Sequence, residues 1–176
     1  MNNIKNILSL IRIYNVVMSG ITVLIAAYLL DSLFLYKTLQ VSIIVMSTMA
    51  LGNIMNDFLD IKSDKINHPN RVLTNNQIAL SDAIILFSLI LLLLLYFSIY
   101  ISFNSLFFLY LFIIPLLFSY NLYFKKLPVI GNLIVSLLLG SVFLFTELAI
   151  LDSINFLIVP FFLVFIFSLI REMIKD

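Results

Sequence analysis

The chain has 176 residues, of which 63% are hydrophobic and 11% charged, and its mean hydropathy is +1.18. A water-soluble domain of this length cannot bury so large an apolar fraction, so the composition predicts an integral membrane protein. The net charge of +1 and the lack of a basic stripe argue against nucleic-acid binding, and the absence of cysteine excludes disulfides and thiolate chemistry.

Uncharged apolar runs predict the membrane-spanning helices in chain order. A spanning helix needs about 20 residues, so the long run 83–124 holds two helices, which we expect to separate near Ser102–Ser105. The other runs are 13–30, 38–56, 127–146 and 153–170. Together they predict six spans in an all-α polytopic helix bundle that forms a single domain, residues 1–176. The first run is long enough to stay in the bilayer and is not followed by a signal-peptide cleavage pattern.

Basic residues are distributed unevenly between the two sides of the predicted bundle. Only Lys37 falls in the loops of one side, whereas the other nine Lys and Arg residues fall on the opposite side. Cytoplasmic loops carry an excess of Lys and Arg, so we expect both termini to be cytoplasmic. The nine residues are Lys5, Arg12, Lys62, Lys65, Arg71, Lys125, Lys126, Arg171 and Lys175.

The end of the second predicted span carries the most informative polar segment. If the helix continues past the apolar run, Asn56, Asp57, Asp60 and Asp64 project within an arc of about 100°, because each residue turns by about 100°. Carboxylates clustered at a bilayer boundary are costly, and they repel one another unless a cation compensates them. Their oxygens suit Mg²⁺ that bridges to phosphate groups. The segment therefore predicts a cytoplasmic site for a metal-held diphosphate.

The polar loop after this segment contributes a cation. Pro69 disfavours helical conformation at His68, so the helix should end there. Arg71 then lies beside the carboxylates, where its planar guanidinium suits a phosphate oxygen. The alternative is a cytoplasmic arginine that only sets the topology.

Polar residues elsewhere in the spans have weaker functional interpretations. Arg12 and Asn15 lie one turn apart at the start of the first span, and they either face a cavity or anchor the helix at the interface. Glu147 and Asp152 fall on the side away from the acidic segment. We interpret both as boundary residues.

Three ordered motifs resemble those of a known family of membrane enzymes. The first is Asn56-Asp57-x-x-Asp60-x-x-x-Asp64, followed by Asn67-x-Pro69-x-Arg71-x-Leu73. The second is Tyr120-Asn121-x-x-Phe124-Lys125-x-x-Pro128-x-x-Gly131-Asn132, between the fourth and fifth spans. The third is the ending Arg171-Glu172-Met173-Ile174-Lys175-Asp176, which is similar to the start of a second aspartate motif. In this order and density they resemble the UbiA superfamily of intramembrane prenyltransferases.

The resemblance implies a nine-helix bundle that transfers a prenyl group from a polyprenyl diphosphate to a lipid-soluble acceptor within the bilayer, with Mg²⁺ as cofactor. The metal ligands that it implies are Asn56, Asp57, Asp60, Asp64 and Asp176. The catalytic residues that it implies are Asp60, Asp64, Arg71 and Lys125. The substrate-binding residues are Asn56, Arg71, Tyr120 and Lys125, and Asn15 is added to them because of its place in the first span.

Within the superfamily, the loop 66–71 and the ending 171–176 are most similar to the digeranylgeranylglyceryl phosphate synthases. This similarity implies a geranylgeranylglyceryl phosphate acceptor and a bacterial or archaeal cell membrane with a cytoplasmic active site. An aromatic precursor of quinones would use the same diphosphate chemistry. Since only Asp176 represents the second motif, we expect a C-terminally truncated chain with little activity of its own. An inactive prenyltransferase remnant and a cation-coupled transporter are two further function classes that the sequence leaves open.

Overall fold

A computed structural model of the protein describes residues 2–33 and 36–175, and no strand occurs in these ranges. The helices are α1 Asn2–Leu10, α2 Ile13–Leu29, α3 Tyr36–Asn67, α4 Leu80–Ser98, α5 Phe103–Phe108, α6 Ile114–Leu122, α7 Pro128–Leu151 and α8 Ile158–Lys175. A π-helical turn, Leu109–Ile113, joins α5 and α6 into one rod, and a 3₁₀ turn, Phe124–Lys126, precedes α7. The predicted all-α membrane bundle is confirmed.

Two helix boundaries follow from local sequence chemistry. The helix α3 ends at Asn67, directly before His68-Pro69, as the restriction on a residue that precedes proline predicts. The long apolar run breaks where expected, because the Ser102 hydroxyl accepts a hydrogen bond of 3.3 Å from the Ser105 backbone N–H and caps α5. The capped break lets the chain reverse between α4 and the α5–α6 rod.

The helices α3 and α7 form the centre of the bundle. In their apolar parts 67% and 61% of the residues are buried, against 11% in α4 and 17% in the α5–α6 rod. The helix α3 packs against α2, α4, α6 and α7, and α7 also packs against α8. Because α3 is central, the side chains at its end are surrounded by the ends of several other helices.

The number of spans differs from the six predicted. Four helices are long and apolar enough to cross a membrane, namely α3, α4, the α5–α6 rod and α7. A fifth span results if α1 and α2, which meet at 61°, are counted as one bent element. The helix α8 carries Arg171, Glu172 and Lys175 in its last five residues, so its uncharged part covers only residues 158–170. By length and composition the described part of the chain therefore has four or five spans.

The break between α1 and α2 occurs at Arg12, which adopts the left-handed conformation with φ 53° and ψ 64°. This region is uncommon for a residue with a side chain, so the surrounding structure has to hold it. Asn53 of α3 does so, because its Nδ2 donates a hydrogen bond of 2.8 Å to the carbonyl oxygen of Ile11. The break is thereby fixed against α3 near its acidic segment.

Glu147 is a correction to the sequence interpretation, which placed it at the membrane boundary. It is fully buried, and its carboxylate accepts three backbone N–H bonds, from Asn155 at 2.7 Å, Phe156 at 2.8 Å and Leu157 at 2.8 Å. The loop after α7 folds back over the helix end and brings these donors to the carboxylate. Asp152, in contrast, is exposed, as a boundary residue should be.

The orientation in the membrane stays a prediction. The nine-to-one distribution of basic residues places the end of α3 that carries the acidic segment on the cytoplasmic side. Reporter fusions at Ile66 should therefore give a cytoplasmic signal, and fusions at Ser102 and Asp152 an external one. A cytoplasmic signal at Asp152 or an external one at Ile66 would show that the predicted topology is inverted or miscounted.

Candidate active site

The acidic face of α3 is the centre of the candidate site. The helix continues eleven residues past Asn56, as predicted, so its polar side chains share one side. On a helical projection Asn56 and Asp60 lie at one edge of the arc, whereas Asp57 and Asp64 lie at the other edge. The two edges face different neighbours.

Lys125 occupies the first edge. Its Nζ lies 2.6 Å from Asp60 Oδ1 and donates a hydrogen bond of 3.2 Å to Asn56 Oδ1. Gly131 positions this lysine, because a Cβ at that residue would lie only 2.9 Å from the carbonyl oxygen of Phe124. The glycine thus lets the 3₁₀ turn fold tightly against α7, and the turn directs Lys125 toward α3.

Two arginines occupy the second edge. Arg12 Nη2 donates a hydrogen bond of 2.7 Å to Asp57 Oδ1. Arg71 Nη1 forms an ion pair with Asp64 Oδ2 and lies 3.5 Å from Asp57 Oδ1. The Asp57 and Asp64 side chains are only 8% and 7% exposed, whereas Asp60 is 22% exposed. The carboxylate of Asp60 is therefore the one that a ligand reaches most easily.

The three carboxylates of this face are balanced by three cations, so none of the three is left with an uncompensated charge. The expectation that all four oxygen-bearing side chains converge on one point is modified accordingly: they form two groups, each held by its own cations. Within residues 2–33 and 36–175, no three acidic, His or Cys side chains are placed to hold a metal ion together. The implied metal ligands stay a prediction.

The donor chemistry at the first edge nevertheless fits a hard divalent cation. The oxygens of Asn56 and Asp60 already converge on one cationic nitrogen, that of Lys125. Carboxylate and amide oxygens are ligands that Mg²⁺ accepts, and Mg²⁺ usually takes only one or two carboxylates together with waters or phosphate oxygens. Asn56 and Asp60 are sufficient for such a partial shell.

The remaining predicted site residues lie at different distances from this centre. Tyr120 is half-buried in the last turns of α6, close in sequence to Lys125. Asn15 is exposed in the first turn of α2, and the structure gives its side chain no hydrogen bond to the described acids. Asp176 lies outside the described residues. An open pocket of about 360 Å³ lies beside Arg71, lined by Ser9, Asn67, His68, Pro69, Asn70 and Arg71.

Arg12 and Asn53 are site residues that sequence reasoning does not assign. The sequence leaves Arg12 undecided between a cavity residue and an interfacial anchor, and its contact with Asp57 decides for the site. Asn53 lies on the same face of α3 as the acids, one turn before Asp57, and this spacing was the available signal. The polar face of α3 thus begins about one turn before the motif 56–64.

A profile of the UbiA prenyltransferase family matches residues 15–176. The chain belongs to the UbiA prenyltransferase family. The predicted resemblance to this family is confirmed.

Curated relatives of this UbiA protein are similar over almost its whole length. Digeranylgeranylglyceryl phosphate synthase from Methanocaldococcus jannaschii is 36% identical over 190 residues, which cover 100% of this chain and 62% of the relative. The protein of the same name from Sulfurisphaera tokodaii is 34% identical, covering 98% of this chain and 63% of the relative. The chain thus spans less than two thirds of the length of these relatives.

A solved structure from work on digeranylgeranylglyceryl phosphate synthase in membranes matches the fold with a TM-score of 0.80. It is 32% identical in sequence, and the match covers 98% of this chain and 61% of that one. The arrangement of helices around the acidic face is therefore shared with a solved membrane protein of the same family.

Proposed function

We propose that the protein transfers a polyprenyl group from its diphosphate to the hydroxyl of a lipid-soluble acceptor, a geranylgeranylglyceryl phosphate, with Mg²⁺ as cofactor. The observation that carries the proposal is the acidic face of α3 with Lys125 and Arg71 against it. The names of the similar proteins support the choice of acceptor.

Lys125 and Arg71 are the groups that bind the donor diphosphate. Both are side-chain cations held in place by carboxylates of α3, so their positions are set before the substrate arrives. Arg71 offers a planar fork that matches two phosphate oxygens, and Lys125 offers a point charge. Arg12, bound to Asp57, keeps that carboxylate compensated when Arg71 turns to the ligand.

Asn56 and Asp60 are the residues that would hold Mg²⁺, with Asp64 and Asp57 behind them. When bound, the metal neutralises the charge that develops on the departing diphosphate. Asp60 is the most accessible carboxylate of the acidic face, 22% exposed, and its partner is the single ammonium group of Lys125. Lys125, whose Nζ lies at the same edge, would contact a phosphate oxygen of the bound diphosphate.

Membranes that contain the protein test this function directly. Incubated with Mg²⁺, geranylgeranyl diphosphate and geranylgeranylglyceryl phosphate, they should form a doubly prenylated ether, at the low rate expected from the sequence, and release diphosphate in equal amounts. Substitution Lys125→Met should lower the rate by about 100-fold, as loss of a charge-stabilising donor does at other sites. The adjacent Lys126→Met is the matched control, because Lys126 is exposed and makes no ion pair with the described acids of α3.

The same assay separates the two acceptor classes. Prenylation of a hydroxybenzoate in place of the glyceryl phosphate would favour an aromatic acceptor. Product formation that does not depend on Mg²⁺, or equal losses in the two lysine variants, would contradict the site described above. Absence of product with either acceptor would contradict the proposed function.

A further inference from the structure

Asn121, near the end of α6, has a buried side-chain oxygen to which none of the described residues donates a hydrogen bond. The residue is 2% exposed, and its Nδ2 donates a hydrogen bond of 3.0 Å to the carbonyl oxygen of Leu117. Among the described residues nothing donates to its Oδ1. The bond to Leu117 fixes which way the amide faces, since the opposite orientation would set two carbonyl oxygens against each other. A buried acceptor without a donor costs free energy, so a bound ligand that donates a hydrogen bond to this oxygen would be stabilised here.

The packing register places this oxygen beside the acidic face of α3. Leu117 packs on Gly52, where an added Cβ would lie 3.0 Å from Leu117 Cδ1. Lys125 pairs with Asp60 further along both elements. The partners in both pairs are 65 positions apart in sequence, and α3 and α6 run in the same direction toward the charged end. Asn121 therefore lies at the level of Asn56, which follows Gly52 by one helical turn.

The depth of Asn121 distinguishes it from the diphosphate-binding groups. It precedes Lys125 by four residues, about one helical turn, on the apolar side of the charged end. A diphosphate bound by Lys125 would direct the first carbon of its prenyl chain away from the charged end, toward the level of Asn121. The acceptor atom that attacks this carbon must therefore lie at the same level of the bundle.

We propose that Asn121 is a positioning residue that accepts a hydrogen bond from the attacking hydroxyl of the acceptor. The inference rests on the proposed function and deepens it, because it assigns the acceptor's nucleophile to one atom of the chain. A glycerol that carries one prenyl ether and one phosphate has a single free hydroxyl. Asn121 Oδ1 binds the hydrogen of that hydroxyl and leaves the oxygen lone pairs free to face the prenyl carbon.

In the proposed reaction Asn121 neither accepts nor releases a proton. A bond forms between the acceptor oxygen and the first prenyl carbon, while the bond from that carbon to the diphosphate breaks and its electron pair leaves with the diphosphate. The hydroxyl proton passes to the released diphosphate. A neutral amide is not a base at ordinary pH, so Asn121 acts by orientation.

A matched pair of ligands tests the assignment without catalysis. Membranes with the wild-type protein, without donor or Mg²⁺, should bind geranylgeranylglyceryl phosphate about tenfold more tightly than its deoxy analogue, in which the free hydroxyl is replaced by hydrogen. In Asn121→Leu this preference should disappear, while binding of the deoxy analogue stays within about twofold. The Leu variant removes an unpaired polar atom from the interior, so it is expected to fold, and Asn121→Ala serves as a second variant.

Tyr110→Phe is the control, because Tyr110 in the same rod also has a buried hydroxyl to which the described residues offer no partner. It should keep the tenfold preference. A wild type that binds both ligands equally, or an Asn121→Leu variant that keeps the preference, would overturn the inference while the transfer assay still upholds the proposed function. Binding of neither ligand would overturn both.

Discussion

Replacing Asp60 with alanine is expected to abolish Mg²⁺-dependent diphosphate binding and to lower prenyl transfer by about 100- to 1000-fold, the usual loss when a charge-stabilising group is removed. Asp60 is the partner of Lys125 at 2.6 Å and the most accessible carboxylate of the acidic face. Its removal takes away a proposed metal ligand and also leaves the Lys125 side chain, 13% exposed, with only the Asn56 amide as its partner among the contacts described above. Diphosphate binding to the purified protein, titrated with and without Mg²⁺, measures the first effect.

Asp82→Ala is the matched control for this experiment. Asp82 is an exposed acid in the first turn of α4, so it shares the side of the bundle but not the acidic face. A double-mutant cycle with Lys125→Met should show strong coupling for Asp60 and none for Asp82. If the Asp60 variant still binds diphosphate in an Mg²⁺-dependent way, the acids of α3 serve only to hold the neighbouring helix ends.

The acidic face itself could be predicted because its information is local. Helical periodicity alone puts Asn56, Asp57, Asp60 and Asp64 on one side of α3, and proline fixes where the helix ends. The family resemblance implied Lys125 only as a cation for the diphosphate, and its pairing with Asp60, 65 residues away, was not predicted. The sequence pattern gives no distances across such a separation, so it did not predict the division into two groups.

Arg12 shows why the rest of the site was not predictable. The residues around it, Ile11 and Ile13, are ordinary helix formers in an apolar run, with no glycine or proline to indicate a break. The left-handed conformation arises from tertiary contacts, namely the bond from Asn53 to the Ile11 carbonyl and the ion pair with Asp57. Such contacts override local propensity, and only the folded chain contains them.

Glu147 was misplaced for a related reason. A charge near the end of an apolar run usually marks the interface, because burial of an unpaired carboxylate costs several kcal/mol. Here the cost is offset by three backbone donors from Asn155, Phe156 and Leu157. The donors come from a loop that has no recognisable sequence pattern of its own. The sequence therefore shows an unusual glutamate near the end of an apolar helix of 24 residues, but it does not show the backbone donors that make its burial possible.

The second large effect is expected on stability, from Glu147→Ala. The substitution leaves three backbone N–H groups in the interior without an acceptor, and each unpaired group costs about 1–3 kcal/mol. We expect the free energy of unfolding to fall by about 3–5 kcal/mol, the range for breaking a buried charged network. Because these donors immediately precede Ile158, the start of α8 should detach from α7. Thermal unfolding in detergent and limited proteolysis of the loop before α8 measure the two consequences.

Asp152→Ala is the matched control, since Asp152 is an exposed acid of the same loop whose carboxylate accepts one hydrogen bond of 3.0 Å from Asn104. The substitution should cost no more than about 2 kcal/mol, from loss of the exposed contact and from the left-handed conformation of this residue, φ 55°, which alanine tolerates less well than aspartate. Glu147→Gln should fall between the two. The amide oxygen can still accept from Asn155 and Phe156, but the amide NH2 group then faces the Leu157 N–H, which loses its acceptor. If Glu147→Ala unfolds at the same temperature as Asp152→Ala, water replaces the carboxylate at no cost, and α8 is held by its apolar packing on α7 alone.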